Sequence, residues 1–163
     1  MHKVIKILIA SSIFYNFAAG LFGPIYAIFV QGIGGTIFTA GLAWSIYTLF
    51  VGVLLLLIGQ LGDRFQKRKL FVFGRFINTV GIAGYLFVTS PVELFIVQGI
   101  LGVSVSLMNP TFEAIFSRNL QRGKETRGWS LWEGSINIVW AVAAFVGGIV
   151  AELFGFRVLF FLM

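Results

Sequence analysis

A run of 56 residues without a formal charge, from Ile7 to Gly62, most constrains what this chain can fold into. Over the whole chain, 58% of the residues are hydrophobic and 11% are charged, whereas a soluble domain carries roughly 25% charged residues. A soluble fold of 163 residues could not bury so much apolar surface. We therefore predict an integral membrane protein whose solvent is lipid.

Five stretches are long and apolar enough to cross a bilayer as helices, which takes about 20 residues each. The predicted fold class is all-α, a polytopic transmembrane helix bundle with five full spans and the start of a sixth. The predicted spans are about 7–30, 37–58, 70–89, 94–116 and 128–151, with an incomplete span at 158–163. The first apolar run is longer than the core of a secretory signal, so we favour a first span over a cleaved signal peptide.

The basic residues indicate the orientation of this bundle. Most of them lie on one side of the predicted bundle. They occur before span one, between spans two and three, near the start of span three, and between spans four and five. Together they are 11 of the 12 basic residues, with Arg157 as the exception. The positive-inside rule makes that side cytoplasmic, so the N-terminus is predicted to be cytoplasmic.

The composition also argues against several classes of function. The net charge of +6 is held in short clusters between apolar runs, which is not the continuous basic face of a nucleic-acid-binding protein. The chain has no cysteine and one histidine, so we predict no disulfide, no metal site and no cofactor. The sequence shows no nucleophile–base pair, which argues against an enzyme.

Two pairs of segments in this sequence are similar, the first of them at an offset of 89 residues. The stretch "GQLGDRFQKRKLF" (59–71) matches "GIVAELFGFRVLF" (148–160), and "LFGPIYAIF" (21–29) is similar to "LMNPTFEAIF" (107–116). Three spans per copy is an odd number, so the copies form a 3+3 inverted repeat, which is typical of secondary transporters. The same offset places the end of span six beyond residue 163, so we expect the chain to be a piece of a longer protein.

The charged loop between spans two and three resembles the signature loop of the major facilitator superfamily. The matching positions are Gly59, Asp63, Arg64, Lys67 and Arg68. Gln66 stands where a second glycine is usual. The resemblance implies a cytoplasmic gating motif, in which Asp63 contacts the N-terminal end of a helix in the opposite half of the transporter.

Two further segments, "KETRGW" (124–129) and "GGIVAELFGFRVLFFL" (147–162), resemble the family's loop after helix four and its junction of helices five and six. The resemblance implies that residues 1–163 are the N-terminal transmembrane half of a twelve-helix transporter, with the C-terminal half absent from this sequence. Helices one, two, four and five would then line a central cavity. Phe95 replaces an arginine found in many drug:proton antiporters, and no proline accompanies Gly147 and Gly148, so that closer resemblance is incomplete.

Polar residues within the apolar spans are candidates for the cavity or for ion coupling, because ionisable groups cost ~2.5–3.5 kcal/mol near the centre of a membrane helix. Glu133 and Asn137 share a face of span five at i and i+4. They could bind a cation or proton, but Glu133 could instead pair with a basic loop residue.

Ser106, Asn109 and Glu113 share a face of span four, and Asn109-Pro110 is predicted to bend this helix. These residues could line the cavity, but Glu113 could instead neutralise Arg75 or Arg118.

Asn16 lies near the middle of span one, followed by a Gly23-Pro24 break. We interpret Asn16 as a cavity residue, with an interhelical hydrogen bond as the alternative. Trp44 and Trp140 could stack on an aromatic substrate, whereas Trp129 and Trp132 are better interpreted as interfacial anchors.

These patterns predict secondary active transport of a small solute by alternating access, for which proton-coupled efflux of lipophilic or amphipathic compounds is one form. The alternative is a non-catalytic half-size membrane scaffold or a dimerising half-transporter. The expected partners are a small-molecule substrate, the lipid bilayer and the missing C-terminal half, without nucleic acid. The expected location is a prokaryotic plasma membrane.

Overall fold

Helices account for most of this chain, for which a computed structural model describes residues 3–61 and 66–163. The α-helices are α1 (Lys3–Phe22), α2 (Tyr26–Gly32), α3 (Ile37–Leu61), α4 (Lys67–Gly84), α5 (Pro91–Asn119) and α6 (Glu125–Leu162). Short 3-10 segments follow α1 at Gly23–Ile25 and α4 at Tyr85–Phe87. Within these described ranges no strand is present.

Five helical stretches are long and apolar enough to cross a membrane, which confirms the predicted all-α, multi-span fold. They are Ile5–Gly32, Ile37–Ile58, Lys67–Phe87, Pro91–Asn119 and Glu125–Leu162. Four of these stretches begin two or three residues before the predicted spans, because the helices continue into their polar ends. The last stretch runs past the predicted end at residue 151 to Leu162. The protein is therefore an integral, multi-pass membrane protein.

A carboxylate cap begins α5 at the predicted boundary between spans three and four. The carboxylate of Glu93 accepts hydrogen bonds from the backbone N–H groups of Thr89 at 2.6 Å and Ser90 at 3.0 Å. Pro91 occupies the first helical position, where its missing N–H costs nothing. The motif Ser-Pro-x-Glu therefore ends one span and starts the next within a few residues.

The last helical run, α6, is interrupted at Gly155. Its φ of 79° and ψ of 170° are non-helical and lie in a region that only glycine enters readily. This break falls between the predicted end of span five at residue 151 and the predicted start of span six at residue 158. The division of this stretch into two spans stays a prediction.

The chain divides into two compact units, and the first comprises Met1–Ile25 with Phe116–Met163. In this unit α1 packs along α6. Gly147 lies against the backbone of Leu21, and a Cβ on Gly20 would be 2.8 Å from the Cβ of Ala143. Small residues therefore let the two helices approach closely.

The second unit comprises Tyr26–Ile115, in which α4 packs against α5. Glycines on α4 again mark the contact: Gly74 faces Met108, Gly81 faces Leu101 and Gly84 faces Val97. Between them, the buried Asn78 amide donates a hydrogen bond of 3.1 Å to the hydroxyl of Ser104. Close backbones and one buried polar pair therefore hold these two helices together.

Candidate functional site

Asn16 and Trp140 form a hydrogen-bonded pair between α1 and α6 in the first unit. The indole N–H of Trp140 donates to Asn16 Oδ1 at 3.0 Å, and the Asn16 amide donates to the carbonyl oxygen of Ser12 at 2.9 Å. Both ends of the Asn16 side chain thus have partners inside an apolar span. The interhelical hydrogen bond considered as the alternative is present, and a role of Asn16 in a cavity stays a prediction.

The ring of Trp140 lies against a glycine surface at the end of α1. A Cβ on Gly23 would be 3.0 Å from Trp140 Cζ3, and a Cβ on Gly20 would be 3.4 Å from Trp140 Cα. A larger residue at either position would displace the indole or its helix. Trp140 nevertheless keeps 36% of its surface exposed, so part of the ring is accessible beside its hydrogen bond to Asn16.

An aromatic cluster in the second unit contains Tyr26, Trp44 and Tyr47, together with Gln98. The Gln98 side chain is buried and its Nε2 donates to the Tyr26 hydroxyl at 2.8 Å. The Tyr26 and Trp44 ring centroids are 6.4 Å apart, and those of Trp44 and Tyr47 are 5.3 Å apart. Trp44 is 56% exposed, so this cluster presents an apolar ring next to a buried amide.

Of the three residues predicted to form a polar face on span four, one is buried and two are exposed. Ser106 is fully buried and donates to the carbonyl oxygen of Val103 at 2.7 Å. Asn109 and Glu113 are exposed, and α5 continues through Pro110 as one helix. Within the second unit Glu113 forms no ion pair with a described residue. Asn109 and Glu113 are therefore the members of this set that a solute or a lipid could reach.

Glu133 and Asn137 lie one turn apart on α6, as their spacing predicted. Asn137 donates to the backbone carbonyl oxygen of Glu133 at 2.9 Å, and both side chains are exposed. In the part of the chain that the structure describes, the Glu133 carboxylate has no ion-pair partner. The amide is thus held locally, whereas the carboxylate is available to bind a proton or a cation.

The gating motif is only partly described. Lys67 and Arg68 begin α4, and Gly59 lies in the last turns of α3. Asp63 and Arg64 lie outside the described residues. The role of this motif stays a prediction.

Sequence reasoning did not select Tyr26 or Gln98 as site residues. The available signal was the amide of Gln98 within a membrane-spanning helix, because a buried amide in a membrane protein needs a partner. The pairing of Asn16 with Trp140 was missed in the same way. No group of three His, Asp or Glu side chains that could hold a metal ion is found among residues 3–61 and 66–163.

Comparison with known proteins gives a family match and several relatives. A family model described as the Major Facilitator Superfamily matches residues 8–163. The chain is similar to the uncharacterized MFS-type transporter YitZ of Bacillus subtilis (strain 168), with 27% identity over 152 residues. That match covers 89% of this chain and 88% of YitZ.

Other relatives are much longer than this chain. The quinolone resistance protein NorB of Staphylococcus aureus (strain bovine RF122 / ET3-1) is 30% identical over 165 residues, covering 98% of this chain and 34% of NorB. The multidrug resistance protein MdtG of Klebsiella pneumoniae (strain 342) is 22% identical over 162 residues, covering 97% of this chain and 39% of MdtG. The chain thus spans little more than a third of these two relatives and most of YitZ.

Proposed function

This chain belongs to the Major Facilitator Superfamily, and from that membership we propose that it is the N-terminal half of a secondary transporter. The transporter would move a small solute by alternating access, with a C-terminal half forming the opposite wall of the path. The observation that carries this proposal is the pairing of polar with aromatic side chains inside apolar spans, Asn16 with Trp140 and Gln98 with Tyr26. Polar residues in a membrane helix are costly and commonly mark a substrate path.

The chemistry of these pairs favours a lipophilic or amphipathic solute with an aromatic part. The exposed faces of Trp44 and Trp140 would stack on such a solute. Asn16 and Gln98 would orient the neighbouring rings of Trp140 and Tyr26 through their hydrogen bonds, and no side chain in these two pairs is charged. The names of NorB and MdtG, which refer to drug resistance, support efflux as the direction.

Proton coupling through Glu133 is the finer part of this proposal. Its carboxylate is exposed on a membrane helix without an ion pair to a described residue. Carboxylates on membrane helices are rare and commonly belong to a proton or ion pathway. Alternate exposure to the two sides of the membrane would then let Glu133 take up a proton on one side and release it on the other.

A second candidate is a half-size protein that dimerises, so that two copies form the solute path. The match to YitZ favours it, because that relative is covered over 88% of its own length. In a dimer, the Asn16–Trp140 pair of one copy would lie across the path from that of the other. The two candidates differ in whether this chain can transport without another polypeptide.

The decisive experiment is reconstitution of the 163-residue chain into liposomes with an imposed proton gradient. The substrate is a fluorescent lipophilic dye, and the comparison is a covalent tandem of two copies. We expect no saturable, gradient-driven transport from either protein, because the proposed mechanism requires a C-terminal half as the opposite wall of the path. Saturable transport by the chain or by the tandem would instead establish the dimerising half-transporter.

Proton coupling is tested with Glu133→Gln in the complete transporter. We expect a loss of gradient-driven efflux of at least tenfold with substrate binding retained, since glutamine cannot release a proton. Glu125→Gln is the matched control, because Glu125 lies at the start of the same helix and accepts a hydrogen bond from the Gly123 N–H that glutamine can also accept. Unchanged pH dependence in Glu133→Gln would contradict the proposed coupling.

The gating role of Asp63 is tested with Asp63→Asn in the complete transporter. We expect normal membrane insertion, slower transport and a shift toward the inward-open state, because a cytoplasmic latch between the halves is weakened. Single cysteines introduced on each side report the shift by their labelling ratio, since this chain has no native cysteine. If the Asp63→Asn variant shows the labelling ratio and the transport rate of the wild type, the loop determines membrane topology and has no gating role.

A further inference from the structure

A groove opens where three helix ends of the first unit meet. Its volume is about 590 Å³, and its walls include Ile5 at the start of α1, Leu120 just after α5 and Leu131 in α6. Lys124 and Arg127, at the beginning of α6, also line it. The groove thus combines apolar walls with two cationic side chains at one end of the unit.

The two basic side chains of this groove have no acidic partner among the described residues. Lys124 and Arg127 are exposed and form no ion pair with a described residue. None of the described residues that line the groove is acidic. The neighbouring Glu125 carboxylate is engaged elsewhere, accepting a hydrogen bond from the backbone N–H of Gly123 at 2.9 Å. Among the described residues, the groove therefore has a charge of +2 and no counter-ion.

Aromatic side chains place this groove at the boundary between lipid and water. The ring centroids of Trp129 and Trp132 are 5.6 Å apart, and those of Trp129 and Phe116 are 4.8 Å apart. Tryptophan clusters of this kind at helix ends are typical of the headgroup region. The surrounding basic residues predict that this end is cytoplasmic, where anionic lipids attract basic segments.

We propose that the groove binds the phosphate of an anionic phospholipid from the cytoplasmic leaflet, with Lys124 and Arg127 as its cationic ligands. A phosphodiester anion could come from a lipid headgroup or be replaced by a free phosphate. The apolar walls formed by Ile5, Leu120 and Leu131 favour the lipid, because an acyl chain covers them and a free anion does not. This site is separate from the Asn16–Trp140 pair and does not depend on the transport proposal.

The test is native mass spectrometry of the full-length protein in mild detergent, titrated with dioleoylphosphatidylglycerol or dioleoylphosphatidylcholine. We expect tighter binding of the anionic lipid and a loss of about 25-fold in Lys124→Gln/Arg127→Gln, about fivefold for each cation. The matched control is Arg118→Gln/Arg122→Gln, which removes two charges from the same region but not from the groove. The affinity of this control variant for dioleoylphosphatidylglycerol should change less than twofold.

Two further variants keep the outcome interpretable. Lys124→Arg/Arg127→Lys preserves both charges and should retain binding, which distinguishes lost ligands from a misfolded protein. Leu131→Gln should weaken binding of the lipid without changing that of inorganic phosphate. Equal binding of the two lipids, or an equal loss in the control pair, would overturn the site. Displacement of the lipid by millimolar phosphate, with no effect of Leu131→Gln, would overturn the lipid as its ligand.

Discussion

Helices α3 and α5 are both apolar enough to cross a membrane, yet they are packed very differently. In the most apolar part of each helix, 50% of the residues are buried in α5 and only 6% in α3. The exposed side chains of α3 include large apolar ones such as Leu49, Leu56 and Leu57. The buried residues of α5 include polar ones such as Gln98, Ser104 and Thr111.

This difference reverses the rule for soluble proteins. Lipid tails are as apolar as leucine, so burying leucine brings little gain, whereas a polar side chain must find a partner inside the protein. The buried polar groups of α5 do so, for example Ser104 with Asn78 and Gln98 with Tyr26. On α5 the paired polar residues Gln98 and Ser104 therefore lie on the packed surface, whereas α3 leaves large leucines such as Leu56 exposed.

The largest effect is expected where α3 touches α5 most closely. A Cβ on Gly102 would be 2.7 Å from Phe50 Cβ and 2.8 Å from the carbonyl oxygen of Tyr47. Gly102→Leu should therefore lower the free energy of unfolding by about 1–3 kcal/mol. Gly52→Leu on α3, where nothing lies within 4 Å of an added Cβ, is the control and should cost no more than about 0.5 kcal/mol. Unfolding by SDS in mixed micelles measures the loss of free energy of unfolding in both variants. Equal losses would mean that the two glycine positions are packed equally tightly.

An intermediate effect is expected for the buried amide of α5. Gln98→Leu and Tyr26→Phe should each destabilise the protein by about 0.6–1.7 kcal/mol, the range for hydrogen bonds between membrane helices. The double variant should lose less than the sum of the two single losses, because both remove the same hydrogen bond. Strict additivity in the same unfolding assay would mean that this hydrogen bond does not stabilise the fold.

The smallest effect is expected on the exposed side of α3. Leu56 is 74% exposed, so Leu56→Ala should change the free energy of unfolding of this chain by less than about 0.5 kcal/mol. The same variant in a complete transporter or dimer shows what covers this surface. A loss above about 1 kcal/mol there would identify an interface between halves. A large loss in this chain alone would contradict the assignment of Leu56 to an unpacked surface.

The spans could be predicted from the sequence because a bilayer demands about 20 apolar residues in a row. The boundary at Ser90-Pro91 was also predictable, because proline favours the first turn of a helix. The rotation of each helix about its axis was not, since helices that are apolar all round carry no periodic signal of which side is buried. For that reason the partners of Asn16 and Gln98 appeared only in the structure, 124 and 72 residues away. The orientation and the inverted repeat stay predictions.

The break at Gly155 has a consequence for the thickness of membrane that this chain matches. At about 1.5 Å per residue, the 38 residues of α6 would reach about 57 Å if the helix were straight. A bilayer measures about 40–45 Å with its headgroups, and the part of α6 before Gly155 is about 45 Å long. The chain therefore changes direction where the helix has crossed the whole membrane. Inserting one residue before Gly155 would move this point by about 1.5 Å and rotate the following segment by about 100°. The helix from Glu125 to Gly155 is thus longer than the hydrocarbon core of about 30 Å, so its two ends are long enough to reach the headgroup regions.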